Sequence, residues 1–496
     1  MLLFVAYFLL FIYCAALTLI LLYSLGLLHL LVSFWKNRKQ ANYVLPQLAL
    51  SSEEHLPFVT IQLPIYNELY VVERLLEVVV KINYPPEKLE IQVLDDSTDA
   101  TFELLAKCVA KYQAQGIPIQ HLHRTNRIGF KAGALAEAMP FVKGEFIAIF
   151  DADFVPRADF LQKMLPYFET EKVAMVQTRW EHLNQNYSIF TQIQAFHLDA
   201  HFAVEQFARC HSNYFMNFNG TAGIWRKSAI IDAGGWQHDT ITEDLDLSYR
   251  ARLKGWKLQY VDDIGAPAEL PMPMTAIKSQ QFRWMKGGAE VARKMLKKVW
   301  FSDVSFFAKW HATQHLLGSS LFIFSLLAGV SSVPLLFFCN LYPLEIQAYL
   351  NYGKSFQASF VCIFLFYFVA ITTREKSFVK GFIRIIKYYL PFLTILMGLS
   401  FHNARAAYLG LIGKKSAFIR TPKFQVSQKT GDWKGKHYLQ KKVPSTLYAE
   451  MFFCLYYATG LFLAFFTQNF LLFPFHLMNC VGFGIIAFFS WKHTRQ

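Results

Sequence analysis

The first 35 residues, Met1 to Trp35, contain no Asp, Glu, Lys or Arg. At about 1.5 Å per residue in a helix, such a run is long enough to cross a hydrocarbon layer of about 30 Å. A cleaved leader is the rival reading. It fits poorly: no basic region precedes the run, the apolar stretch is far too long, and no small-residue cleavage site follows. Four more uncharged runs, Trp310 to Leu344, Ser355 to Thr373, Tyr388 to Ala404 and Met451 to Trp491, lie beyond a middle region of ordinary composition. The expected architecture is a soluble domain inserted between transmembrane helices, consistent with 54% hydrophobic and only 17% charged residues among 496.

Lys36, Arg38 and Lys39 directly follow the first run, which by the positive-inside tendency places the next segment in the cytosol. The basic stretches Arg374 to Lys387, Lys414 to Lys442 and Lys492 to Arg495 point to the same side. An even number of crossings must then separate each pair, and 385–413 is too short for two, so it is expected to be interfacial or re-entrant. The expected order is a transmembrane helix over 1–35, a cytosolic domain over 51–298, and transmembrane helices over 310–344 and 355–373. The 385–413 segment, a cytosolic loop over 414–442 and two last spans over 446–468 and 470–491 complete it. Five spans result, with six as the alternative. The net charge, 49 − 35 = +14, suits anionic lipid or phosphorylated substrates, and no nucleic-acid partner is expected. Seven scattered cysteines without a CxxC pair encode neither a zinc site nor a disulfide framework. The histidines are expected to be structural or surface residues rather than metal ligands, since no two sit at a ligand spacing beside a carboxylate in a convincing context.

Within 51–298, β-rich runs at 58–66, 89–96, 119–124, 146–153 and 173–180 alternate with helical periodicity at 69–81, 98–113, 130–139 and 158–168. That order predicts a mostly parallel α/β sheet with helices on both faces, whose ligands bind beyond the carboxyl ends of the strands. Four polar clusters fall there. Asp95, Asp96 and Asp99 end a strand and read either as a helix-capping turn or as ligand contacts. Asp151 and Asp153 follow Phe146 to Ile149, and alternation sends both carboxylates to one side, half of a site for Mg²⁺ or Mn²⁺. Glu243 and Asp244 read either as first-turn acids of a helix or as a general base. Gln280, Gln281, Arg283 and Trp284 read as a phosphate and sugar grip or as an amphipathic helix on the membrane.

These clusters belong to seven motifs: PIYNE at 64–68, VLDDSTD at 93–99, HRTNRIGFKAGAL at 123–135, DADF at 151–154, FNGTAGIWR at 218–226, TEDLDLSYR at 242–250 and QQFRW at 280–284. Together they resemble the processive family-2 glycosyltransferases of the cellulose synthase type, which include the plant cellulose synthase-like mannan and glucomannan synthases. A later FIRTPKF at 418–424 resembles the cytosolic gating loop of those enzymes, with Arg420, Thr421 and Lys423 as its polar positions. The resemblance implies a GT-A (Rossmann-like) cytosolic domain and a channel for the growing polysaccharide. It implies donor contacts from Pro64, Tyr66, Glu68, Asp95, Asp96, Arg127, Lys131 and Asp151, and a divalent cation, Mg²⁺ or Mn²⁺, on Asp151 and Asp153. Asp244, with Glu243 beside it, is implied as the catalytic base of an inverting transfer. Asn219, Gly220, Thr221, Gln280, Gln281, Arg283 and Trp284 are implied on the acceptor and diphosphate side.

The implied donor is UDP-glucose or GDP-mannose, the acceptor a β-linked polysaccharide, and the location a plasma (inner) or Golgi-type membrane with the catalytic domain cytosolic. Accessory subunits stay open. No cyclic-dinucleotide-binding PilZ domain is expected after the last helix. A non-processive enzyme making a glycolipid would share the acids, and product length separates it. A transporter with a regulatory domain is the remote alternative, disfavoured by spans with few charges and no evident repeat.

Overall fold

The computed structural model describes residues 1–38, 56–346, 357–427, 431–439 and 443–495. Residues 51–55 of the expected domain, 355–356 of the expected third span, and 428–430 and 440–442 of the expected loop lie outside the described residues.

Among the described residues seven strands form one sheet: β1 (Val59–Ile65), β2 (Leu89–Asp95), β3 (Ile119–His123), β4 (Phe146–Ile149), β5 (Val173–His182), β6 (Gly223–Arg226) and β7 (Lys257–Ala268). Their order is β3-β2-β1-β4-β6-β5-β7, parallel except for β6, which runs antiparallel to β4 and β5. The Ile, Val and Leu of β1, β2 and β4 are buried because helices cover both faces, the condition under which parallel strands are stable. The chain order reverses between β1 and β4, and the crevice at that switch point is where such sheets bind ligands. At a register shift beside Thr178/Arg179 the partner strand β7 carries three extra residues, Asp262 to Ile264. Trp180 and His182 follow that shift and line the crevice.

Six helices among the described residues are long and apolar enough to cross a membrane, by length and composition: Leu2–Arg38, Phe306–Leu341, Ala358–Glu375, Phe378–Gly398, Thr446–Phe466 and Phe473–His493. Their outer faces expose Phe4, Phe11, Phe452, Phe462 and Phe466, side chains matched to hydrocarbon rather than water. The segment expected at 385–413 divides at Leu399 into Phe378–Gly398 and Ser400–Leu411. The first begins before the expected boundary because Lys380, Arg384 and Lys387, read as a loop, lie on the helix itself.

The contacts of Phe378–Gly398 run along the domain helix Ile189–Ala200 in the opposite direction. Arg384 meets Asp199 at 2.6 Å, Tyr388 and Phe392 meet Phe196, and Leu399 joins Phe190 in one apolar cluster. Ser400–Leu411 then packs on the long helix Met274–Trp300, with His402 against the Lys278 carbonyl at 2.9 Å.

Candidate active site

The acids after β4 leave the sheet where its apolar run stops. Asp151 is fixed by its own N–H, which donates to Thr221 Oγ1 at 2.8 Å, and its Oδ1 accepts from Lys131 Nζ at 2.5 Å. Lys131 also donates to the Gly220 carbonyl at 2.8 Å. Burial pulls the Lys131 pKa down, but Asp151, Glu243 and Asp244 outweigh it and hold the ammonium above its ordinary value. Asp153 Oδ2 accepts from Lys423 Nζ at 2.6 Å. Both carboxylates therefore already face a positive charge.

Glu243 and Asp244 open the helix Glu243–Leu253, whose first turn carries Glu243, Asp244 and Asp246, the placement a helix dipole favours. Thr242 makes no side-chain cap. Asp244 Oδ1 instead accepts the Leu245 N–H at 2.8 Å. Gly220, at φ +83°, lies so close that a Cβ there would sit 2.9 Å from Asp244 Oδ2. Burial, then the neighbouring Glu243 charge, pushes the Asp244 carboxyl far above the ordinary carboxylate range. Asp244 thus combines a place on the cleft wall with a proton affinity raised toward neutrality.

The helix Met274–Trp300 supplies the opposite wall. Gln280, Arg283 and Trp284 share one helical face by their i, i+3, i+4 spacing and line the cleft; Gln281, about 100° round, does not. Arg283 is half-buried, its pKa lowered to about 10 by desolvation, and it donates to the Ile419 carbonyl at 2.8 Å and Thr421 Oγ1 at 2.9 Å. The same helix braces the base from behind: Glu290 Oε2 accepts the Ile241 N–H at 2.8 Å, and Gly287 leaves room for Thr242.

The segment 418–427 lies in the cleft. Phe418 stacks on Phe130 at 5.1 Å, Arg420 pairs with Glu68 at 2.8 Å, and Glu269 accepts the Phe424 and Val426 N–H groups. Burial, opposed by Arg420, raises the Glu68 pKa to about 7. Arg127 lies 3.3 Å over the Tyr66 ring. With this segment in place the cavity volume is about 230 Å³, below the roughly 300–1,000 Å³ usual for small-molecule sites.

Pro64, Tyr66, Glu68, Asp96, Arg127, Lys131, Asp151, Asp153, Asn219, Gly220, Glu243, Asp244, Gln280, Arg283, Trp284, Arg420, Thr421 and Lys423 all line this one cleft. Asp95, Thr221 and Gln281 are not among the lining residues. Asp95 ends β2 fully buried, bonded to Ser97, His121 and His123, whereas Asp96 takes a two-pronged bond from Arg124 at 2.7 and 2.6 Å. The expectation that no two histidines share a ligand spacing with a carboxylate is corrected here: His121 and His123, two apart on a strand, share a face and meet Asp95. Sequence reasoning also missed Glu269, Glu290 and His182. Of these, His182 was detectable as a polar residue just beyond the strand-like run 173–180.

A family profile described as "Glycosyltransferase like family 2" matches residues 57–287. The rice protein (Oryza sativa subsp. japonica) named "Probable glucomannan 4-beta-mannosyltransferase 2" is 37% identical over 383 residues, 76% of this chain and 63% of its own, so more than a third of it lies outside the match. Glucomannan 4-beta-mannosyltransferase 9 of Arabidopsis thaliana is 34% identical over 419 residues, 82% of this chain and 75% of that one. Among solved structures, the mannosyltransferase PcManGT of Pyrobaculum calidifontis, in complex with GDP-Man and Mn²⁺, aligns with a TM-score of 0.52 at 17% identity over 81% of this chain and 99% of its own. That likeness establishes a shared GT-A-like fold.

Proposed function

We propose, from the premise that this chain belongs to the family-2 glycosyltransferases, that it is a membrane-embedded inverting β-glycosyltransferase extending a polysaccharide from a cytosolic nucleotide sugar. The observation that carries the reading is the single cleft in which Asp244 shares space with Lys131, Asp151, Asp153, Arg283 and Trp284. The acceptor hydroxyl attacks the anomeric carbon from the face opposite the diphosphate; the new C–O bond forms as the bond to the diphosphate breaks, and the hydroxyl proton passes to Asp244. Inversion follows from that geometry, and the oxocarbenium-like transition state needs no covalent intermediate with the protein. Lys131 and Arg283 supply positive charge toward the departing diphosphate, and Trp284 offers a face for a sugar ring.

Asp151 and Asp153 fit a hard divalent cation, because both are carboxylates and each already accepts a lysine ammonium within 2.6 Å. Bound there, Mg²⁺ or Mn²⁺ would neutralise charge on the diphosphate leaving group. The 418–427 segment reaches into the cleft and pairs there with Glu68 and Asp153, which supports the reading that it acts as a gating-type loop when donor enters. The glucomannan mannosyltransferase relatives favour GDP-mannose as donor over UDP-glucose, and the six apolar helices support translocation of the product across the bilayer.

The test is product size from purified protein in lipid nanodiscs with Mg²⁺ or Mn²⁺, given labelled GDP-mannose or UDP-glucose separately. A high-molecular-weight, β-mannanase-sensitive polymer from GDP-mannose is expected. Addition of a single sugar to lipid or water removes the processive reading, and inactivity with both donors removes the donor assignment.

A further inference from the structure

The carboxyl ends of β2 and β3 carry a second group of ligand-type side chains that do not line the cleft. The parallel register sets His123 beside Asp95 and His121 beside Val93, so both imidazoles and the carboxylate stand on one face of the sheet. Asp95 Oδ2 lies 2.9 Å from His121 Nε2 and 3.3 Å from His123 Nδ1, and the three atoms are all within 4.8 Å of one another. Ligand atoms held about 2.0–2.1 Å from a tetrahedral Zn²⁺ are roughly 3.3 Å apart, so the three already stand near ligand spacing. The other carboxylate oxygen of Asp95 accepts the Ser97 N–H at 2.8 Å, which fixes the direction of Oδ2. The Phe102 ring packs on both imidazoles, at 5.6 and 4.5 Å, and closes one side, while the His123 side chain keeps 31% of its surface exposed and leaves an approach from solvent.

We propose that Asp95, His121 and His123 bind one borderline transition-metal ion of the Zn²⁺ type, at a site separate from the hard-cation position at Asp151 and Asp153. Two imidazoles and one carboxylate select Zn²⁺, Co²⁺ or Ni²⁺ over Mg²⁺ and Mn²⁺, and three protein ligands leave a fourth position for water. The ion would join the ends of β2 and β3 directly behind Asp96, which lines the cleft.

The experiment uses full-length protein in nanodiscs, with any affinity tag removed and metals stripped by chelator. Zn²⁺ is counted by elemental analysis after equilibrium dialysis in excess Mg²⁺, and the visible spectrum is recorded with Co²⁺ in its place. One Zn²⁺ per chain and the intense absorption of tetrahedral Co²⁺ are expected. His121→Ala and His123→Ala should each weaken binding by more than about tenfold, while Asp151→Asn keeps the count at one. The absence of stoichiometric Zn²⁺ in the wild type, or a count that survives both histidine substitutions, overturns the proposal. Folding of the variants is checked independently by their elution as monodisperse particles, and the cobalt spectrum of the wild type decides the matter even if one variant fails to fold.

Discussion

Asp244 and Gly220 act as a pair. Replacing Asp244 by Asn should reduce transfer by about 10²–10⁴-fold, the usual worth of a general base, with donor affinity retained in a binding assay. In the proposed mechanism Asp244 accepts a proton only when it is deprotonated, and its raised pKa moves the acid limb of the rate profile upward. The kcat/KM of the wild type should therefore fall as pH drops through the neutral to mildly acidic range rather than near pH 4. Gly220→Ala places a Cβ 2.9 Å from Asp244 Oδ2 on a backbone at φ +83°, strain of about 1–3 kcal/mol. It should lower kcat while changing donor affinity less. Sequence made Asp244 and the Asp151/Asp153 pair legible because the first stands in a motif that opens a helix and the pair follows directly on the apolar strand β4. It could not say which of Asp95 and Asp96 faces the cleft, because adjacent residues at a strand end point to opposite sides and only the partner strand, with His121 and His123, settles which side is which. The lysines opposite the two cleft carboxylates were half legible: both stand in motifs, but nothing local encodes that Lys423 reaches Asp153 from 270 positions away.

At the scale of elements, the five strands expected from β-rich runs correspond to β1 to β5, while β6 and β7 went unread. β6 is only four residues long, and β7 holds Asp262, Asp263 and Gly265, which blur its alternation. β6 pairs antiparallel with both β4 and β5, an insertion that the strand, helix, strand alternation does not announce. The helix Met274–Trp300 is the element on which most depends. Its Lys278, only 3% exposed, pairs with Glu450 of the hairpin formed by Thr446–Phe466 and Phe473–His493, and donates to Ser490 Oγ at 2.6 Å. Removing one partner of a buried pair leaves a charge uncompensated, at a cost of about 3–5 kcal/mol, whereas removing both is often near neutral. Lys278→Met should therefore lower the apparent melting temperature of the detergent-solubilised protein, and adding Glu450→Met should restore most of the loss.

For the whole molecule, the arrangement of the apolar helices makes a prediction about sidedness. Phe378–Gly398 follows Ile189–Ala200 from Asp199 to Phe190, which keeps both its ends near the catalytic domain. In a cysteine-free background, Lys380→Cys and Lys415→Cys should react with a membrane-impermeant maleimide from the same face of the bilayer, and Gln468→Cys only from the other. Labelling of the first two from opposite faces would make this helix a sixth crossing. Residue by residue the membrane segments were easy to find, since absence of charge is a strong signal. Where they turn depends on contacts such as Arg384 with Asp199 that no local pattern encodes. One rigid helix, Met274–Trp300, is bonded at Lys278 to the terminal hairpin and at Glu290 to the loop that carries the base. Such a strut transmits force. Hydrophobic mismatch tilts membrane helices, so a bilayer of different acyl length would shift the hairpin, load the strut and move the Asp244 carboxylate, making the proposed sugar transfer sensitive to membrane thickness.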